Sequence, residues 1–247
     1  MRIAAIYDIH GNLPALEAVL DDVRAAAVDL VLVGGDVVPG PMPRETVDLL
    51  RALELPTQYI RGNGDREVAA VMRGEETGGV PEPFRPAIRW NAGQLAPGDE
   101  PWLAGWPLTR GIHVDGIGEV LFCHATPRND VDIFTRLTPA ERLVPMFDGP
   151  SPLAVCGHTH MQFDRSVGTT RVVNAGSVGM PFGQPGAYWL LLGPGVELRR
   201  TSYDLEAAAN RIRATSYPQA DAFAANNVLR PPSEESILEM FRAAEIK

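Results

Sequence analysis

The tetrapeptide Gly157-His158-Thr159-His160 follows directly on the apolar run Leu153-Ala154-Val155-Cys156. Two imidazoles one residue apart, delivered where an apolar strand-like run ends, can be aimed into one cavity. Imidazole is both the commonest metal-binding side chain and the natural general base. A pair of surface loop histidines is the ordinary alternative for an isolated H-x-H. The chain has five histidines. Two stand here, and two more, His10 and His124, also close apolar runs.

The same pattern recurs along the first half. Ile3-Ala4-Ala5-Ile6-Tyr7 reads as a buried strand that ends in Asp8-Ile9-His10-Gly11-Asn12. Asp8 and His10, two apart on a strand end, are expected to project to one side. Asn12 is a good helix N-cap and Pro14 suits the first turn, and Leu13, Leu16, Leu20 and Val23 follow at helical spacing. Leu30-Val31-Leu32-Val33 is a second strand, followed by Gly34-Gly35-Asp36, a proline-rich turn and a helix around residues 44–53. A third strand over residues 57–61 ends in Gly62-Asn63-Gly64-Asp65. Open α/β sheets place their sites at the carboxyl ends of strands, and here three consecutive strands end in ligand-type residues.

Residues 74–86, rich in Gly, Pro and Glu, are predicted to form a loop or lid, and helical spacing returns around Ile88, Asn91 and Leu95. Trp102 and Trp106 read as packing residues. Around Asp115-Gly116 a hairpin is expected, with strands over 110–114 and 119–123. His124 then opens a loop that carries Arg128. A helix over about 138–146 leads to the His158 strand, and short strands follow over 161–166, 171–174, 187–192 and 196–202. From Asp204 the chain looks helical, with a break at Pro231-Pro232. The organisation expected is one domain over 1–203 and a C-terminal helical extension, 204–247, packed on it.

Composition narrows the partners. A net charge of −9 argues against a surface for long nucleic acid, which needs clustered Lys and Arg. It leaves room for a small phosphate-bearing substrate, because bound cations dominate a local field. Cys123 and Cys156 are too few for a disulfide framework and read as small buried hydrophobes. His113, on the hairpin, reads as structural. The apolar runs are too short to span a membrane, and a cleaved leader would remove Asp8 and His10. A cytoplasmic protein, with a homo-oligomer possible, is therefore expected.

Collected, the strand-end groups are Asp8, His10, Asp36, Asn63, His124, His158 and His160. Imidazoles with carboxylate and amide oxygens suit Mn, Fe, Zn or Ni better than Ca. Seven ligands exceed one tetrahedral ion and suffice for two if a carboxylate bridges. Two such ions can clamp the oxygens of an in-line displacement at phosphorus.

Asp8-Ile9-His10, Gly35-Asp36, Gly62-Asn63, His124 and Gly157-His158-Thr159-His160 occur in the order of the calcineurin-like metallophosphoesterase motifs. The chain resembles that family from Asp8 to about Pro181, and 174–178 resembles its final glycine-rich turn. The resemblance implies an α/β fold, a two-sheet β-sandwich flanked by helices, with a dinuclear centre at the sheets' edge. Carried over by position, Asp8, His10 and His160 would bind one ion, Asn63, His124 and His158 the other, and Asp36 would bridge. A hydroxide held between the ions would attack phosphorus.

One block departs from the family. A histidine usually follows the Gly-Asn pair, contacts phosphate and serves the leaving group, whereas this chain has Gly64. In this it resembles a small bacterial and archaeal phosphodiesterase-like branch that lacks the histidine. Loss of a general acid, typically worth about 10²–10⁴-fold, turns expectation toward phosphodiesters or small activated phosphate esters. Asp65 is expected to pair with Arg61 or Arg66, or to serve only as a turn residue. Arg128 is read either as a substrate phosphate contact or as a solvated loop arginine. The competing functions are a non-catalytic interaction scaffold on the same fold, as in the retromer subunit, and a phosphomonoesterase acting on proteins or small molecules.

Overall fold

Three strands whose every residue is buried set the architecture of the computed structural model, which describes residues 1–77 and 79–246. Two of them, β1 (Ile3–Ile6) and β2 (Leu30–Val33), pair in parallel and are followed by β3 (Thr57–Tyr59). The crossovers are α1 (Leu13–Ala25) and α2 (Pro43–Arg51). Next come α3 (Asn63–Met72), α4 (Arg85–Gln94) and α5 (Asp99–Ala104). The second half supplies β4 (Thr109–Val114), β5 (Gly118–Cys123), α6 (Ala140–Phe147), β6 (Leu153–Cys156), β7 (Phe163–Val167), β8 (Thr170–Asn174), β9 (Ala187–Leu192) and β10 (Val196–Thr201). One five-stranded sheet runs β10-β9-β1-β2-β3 and the other β4-β5-β6-β8-β7. The central strands β5, β6 and β8 of the second sheet are parallel.

The period-two alternation of strand side chains shows why both faces had to be apolar. Ile3, Ala5, Tyr7, Leu30 and Leu32 meet Val120, Phe122, Leu153, Val155 and Val173 in a core between the sheets. Ala4, Ile6, Val31 and Val33 turn the other way, onto Leu16, Val19 and Leu20 of α1 and Val47 of α2. On the far side Cys123, Ala154, Cys156 and Val172 pack on Leu143 and Phe147 of α6. The layers are therefore helix, sheet, sheet, helix, and each buried strand reads as an unbroken apolar run. Both cysteines lie in that outer layer, where burial pushes their thiols up.

Local signals hold where they were expected. Asn12 caps α1 by accepting from the Ala15 amide at 3.3 Å, and the Trp102 and Trp106 rings pack with Tyr59. Across the hairpin His113 is exposed opposite Glu119, 3.6 Å away. The C-terminal segment forms α7 (Leu205–Arg213), a short α8 (Ala220–Phe223) continuing into a π-helical turn over Ala224–Leu229, and α9 (Glu234–Arg242). Ala208, Ala209, Ile212 and Phe223 pack with Ala87 and Trp90 of α4, and Arg211 pairs with Glu17 of α1. Residue 78 of the expected loop and residue 247 of the extension lie outside the described residues. No described helix is long and apolar enough to cross a membrane.

Phe122 is completely buried between the sheets. Phe122→Ala is expected to cost about 3–5 kcal/mol in equilibrium denaturation; a loss below about 1 kcal/mol would mean that the inter-sheet core does not hold the sandwich together.

Candidate metal centre

Among the described residues, six that are not glycine have φ in the left-handed region, and five of them are Asp8, His10, Asp36, His158 and His160. Such backbone costs about 1 kcal/mol or more per residue and persists where surroundings over-determine it. The convergence of Asp8 and His10 is therefore not strand alternation, because β1 ends at Ile6. It comes from a left-handed loop stitched to the loop after β2. The Asp8 amide donates to the Gly35 carbonyl at 3.0 Å, and the His10 amide to Asp36 at 2.9 Å. From the other sheet, the His158 amide donates to Asp8 Oδ2 at 2.9 Å. Gly157 is needed there: a Cβ would stand 2.5 Å from both Asp8 Oδ2 and the Tyr7 ring.

Two clusters result, Asp8 with His10 and His160, and Asp36 with His124 and His158, the ligand atoms within each lying within 4.8 Å of one another. His10, His124 and His160 each donate Nδ1–H to a carbonyl, of Pro39, Gly34 and Met180 respectively. That fixes the tautomer and aims the Nε2 lone pair inward. His10 Nε2 and His160 Nε2 then face each other at 3.2 Å, as do His124 Nε2 and His158 Nδ1. Asp36 Oδ2 stands 3.7 Å from both His10 Nε2 and His124 Nε2, so it lies between the two clusters.

These are acceptors facing acceptors. Asp8 Oδ1 is buried without a hydrogen-bond partner. The Asn63 amide oxygen stands 3.1 Å from His158 Nδ1, 3.3 Å from His124 Nε2 and 3.2 Å from the Asp130 carbonyl. With no ion at the site, rotating that amide lets its NH₂ donate to all three acceptors; a bound cation would favour the oxygen there instead. Burial would raise Asp8, but the adjoining imidazoles of His160, His124 and His10 hold it down at about 2. Burial and its neighbour His124 push His158 down to about 4, leaving it neutral. Carboxylates, imidazoles and an amide oxygen are donors that divalent ions take, and one such ion could sit at Asp8, His10 and His160 and another at Asp36, His124 and His158, with the Asn63 oxygen beside the second.

The chain's family follows from this arrangement. Residues 1–192 match the calcineurin-like phosphoesterase superfamily domain. The chain belongs to that superfamily. It is 28% identical over 237 residues to the uncharacterised MJ0912 of Methanocaldococcus jannaschii, with 88% of this chain and 94% of that one covered. It is similar to the crystal structure of PH1004, a hypothetical protein of Pyrococcus horikoshii, with a TM-score of 0.76 at 20% identity, covering 90% of this chain and 97% of the other. A metallophosphoesterase from Sphaerobacter thermophilus superposes with a TM-score of 0.69 at 29% identity, covering 92% and 100%.

Within this site Asp65 stands differently from expectation. Asp65 pairs with neither arginine and is more than a turn residue. Its carboxylate accepts the amides of Asp36 (2.8 Å), Val37 (2.9 Å), Val38 (3.1 Å) and Gly62 (3.0 Å), pinning the loop that carries Asp36. Burial and the Asp36 charge push this carboxyl up, against the backbone donors that favour its ionised form. Both arginines go instead to Asp130, Arg66 with Nε at 2.9 Å and Nη2 at 3.1 Å, Arg61 at 3.6 Å. Of the two readings of Arg128, the geometry matches the loop arginine: its exposed guanidinium is closed onto Asp132 at 2.6 Å on its own loop. It does not line the cavity of about 480 Å³ that opens onto His10, Asp36 and Asn63; Arg66 does. Spacing could not favour Arg66 over Arg128, since what decides is which carboxylate lies beside each.

Asp65→Asn leaves one oxygen for four amides. Unfolding free energy is expected to fall by about 2 kcal/mol or more, and the bound-ion content to fall with it. Stability within about 0.5 kcal/mol of the parent and full ion content, read by chemical denaturation and elemental analysis, would contradict the pinning role.

Proposed function

We propose that the chain is a dinuclear, divalent-metal-dependent phosphoesterase acting on small phosphate esters, with diesters and activated esters favoured over alkyl monoesters. The observation that carries this reading is the position of Asp36, equidistant from one histidine of each cluster. Bound there, a pair of transition-metal ions such as Mn, Fe, Zn or Ni supplies Lewis acidity toward phosphoryl oxygens and makes water nucleophilic at neutral pH. The protein's own part is to hold lone pairs ready and to keep Asp8 ionised.

Asp36 is itself oriented. Gly64 N–H donates to its Oδ1 at 2.7 Å, while Asp65 fixes its backbone. Position 64 also explains the missing histidine. Its φ is not left-handed, but a Cβ there would stand 2.5 Å from Pro39 Cδ and 3.0 Å from Asp36 Oδ1. With the Val38 carbonyl also at 2.9 Å, a side chain there would force Pro39 or the Asp36 loop to shift, so a histidine cannot simply be restored. With no proton donor at that position, departure of the leaving group rests on its own acidity. Hydrolysis is expected to accelerate steeply as the leaving phenol becomes more acidic.

Asp36→Asn removes the charge shared between the clusters. Activity on an activated aryl diester is expected to drop by about 100-fold or more, and ion content to fall below two per chain. Near-parental turnover with two bound ions would overturn the bridging assignment. Failure of the parent protein to hydrolyse any ester of a diester and monoester panel, supplied with Mn, Ni, Zn or Mg in turn, would overturn the hydrolase reading itself.

A further inference from the structure

The cavity on the metal centre has one wall that the superfamily match does not include. The match ends at residue 192, yet Tyr217, Gln219, Ala222, Phe223, Asn226 and Asn227 all line the cavity. They come from the turn before α8, from α8 itself and from the π-helical turn after it, a rare backbone form that is frequent at functional sites. Val80, Pro81, Phe84 and Ile88 face them from the loop after α3 and from α4, and Val131 lies at the His124 loop. Phe84 and Val131 are among the large apolar side chains left exposed, at 55% and 50%. Both stand on this one cavity, where exposed apolar surface marks a binding site.

Charge is sparse by contrast. Away from the ligand residues, Arg66 is the one cationic side chain among the described residues that line the cavity. Its guanidinium is already shared between Asp130 and the buried Glu67, 2.7 Å away. A polyphosphate or second ionised phosphate would find no free counter-ion here. The walls instead offer rings, aliphatic groups and three side-chain amides. Resting on the phosphoesterase reading above, we propose that this pocket receives the non-reacting organic arm of the substrate. That arm is uncharged, largely apolar and of the size of one or two rings, and the C-terminal segment selects it.

The test holds the leaving group constant. Methyl 4-nitrophenyl phosphate and 2-(2-naphthyl)ethyl 4-nitrophenyl phosphate release the same phenolate and differ only in the retained alkyl arm. The metal-loaded full chain is expected to show kcat/KM at least about tenfold higher for the naphthylethyl diester, the scale of burying one ring system. Phe84→Ala, at an exposed rim position, is expected to reduce that ratio severalfold. Ala222→Trp, which fills the pocket from an exposed helix position, is expected to bring it to one or below. Equal kcat/KM for the two diesters in the parent protein, or a ratio unmoved by both variants, would overturn the proposal. If neither diester is hydrolysed, the phosphoesterase reading fails separately, and fluorescence titration with 2-(2-naphthyl)ethylphosphonate decides the pocket. Saturable binding that Ala222→Trp abolishes supports it, and no binding by the parent protein overturns it.

Discussion

Imidazole nitrogens face one another in two pairs at 3.2 Å, with Asp36 between the pairs and an unpartnered Asp8 oxygen beside them. Lone pairs buried this close repel unless positive charge lies among them, and burial of unpaired acceptors is costly. The surroundings are arranged so that the groups cannot turn away. Three of the four rings are tethered through Nδ1 to main-chain carbonyls. Five ligand residues sit on left-handed backbone that alternative loop paths would relieve.

What resists that relaxation is the sandwich. Loops after β1 and β2 are hydrogen-bonded to each other through the Asp8 and His10 amides, and Asp65 collects four amides from the second and third loops. The second sheet joins through the His158 amide on Asp8 and through Asn174, whose side chain donates to the Gly157 carbonyl at 2.6 Å. Tyr7 packs in the core between the sheets and lies next to Asp8 in the chain. The cost of ordering the ligands is thus borne by two sheets whose strands have no freedom to shift register, since a one-residue slip would exchange the inner and outer faces.

Much of this is legible in the sequence. Strands buried on both faces appear as unbroken apolar runs, and a polar residue placed just past such a run is conspicuous; that is how Asp8, Asp36, Asn63, His124 and His158 stand out. The reason for their convergence is not legible, because a left-handed φ at Asp8 or His160 leaves no mark in residue type when the residue is not glycine. Asp65 is opaque for a related reason. Its partners are main-chain amides, which have no identity in a sequence. Arg128 and Arg66 look alike until Asp132 and Asp130 are placed beside them. The helical look of the chain after Asp204 does not reveal that Ala222 and Asn226 line a cavity together with His10 and Asp36.

The C-terminal segment and the superfamily domain meet at the cavity beside the two clusters. Everything depends, however, on the two clusters taking two ions with Asp36 between them. Anomalous diffraction from crystals of the Mn- or Zn-loaded protein measures that directly. Two peaks about 3.5–4 Å apart are expected, one against Asp8, His10 and His160, the other against Asn63, His124 and His158, with Asp36 touching both. A single peak, or two peaks that leave Asp36 bound to only one ion, would contradict the shared centre.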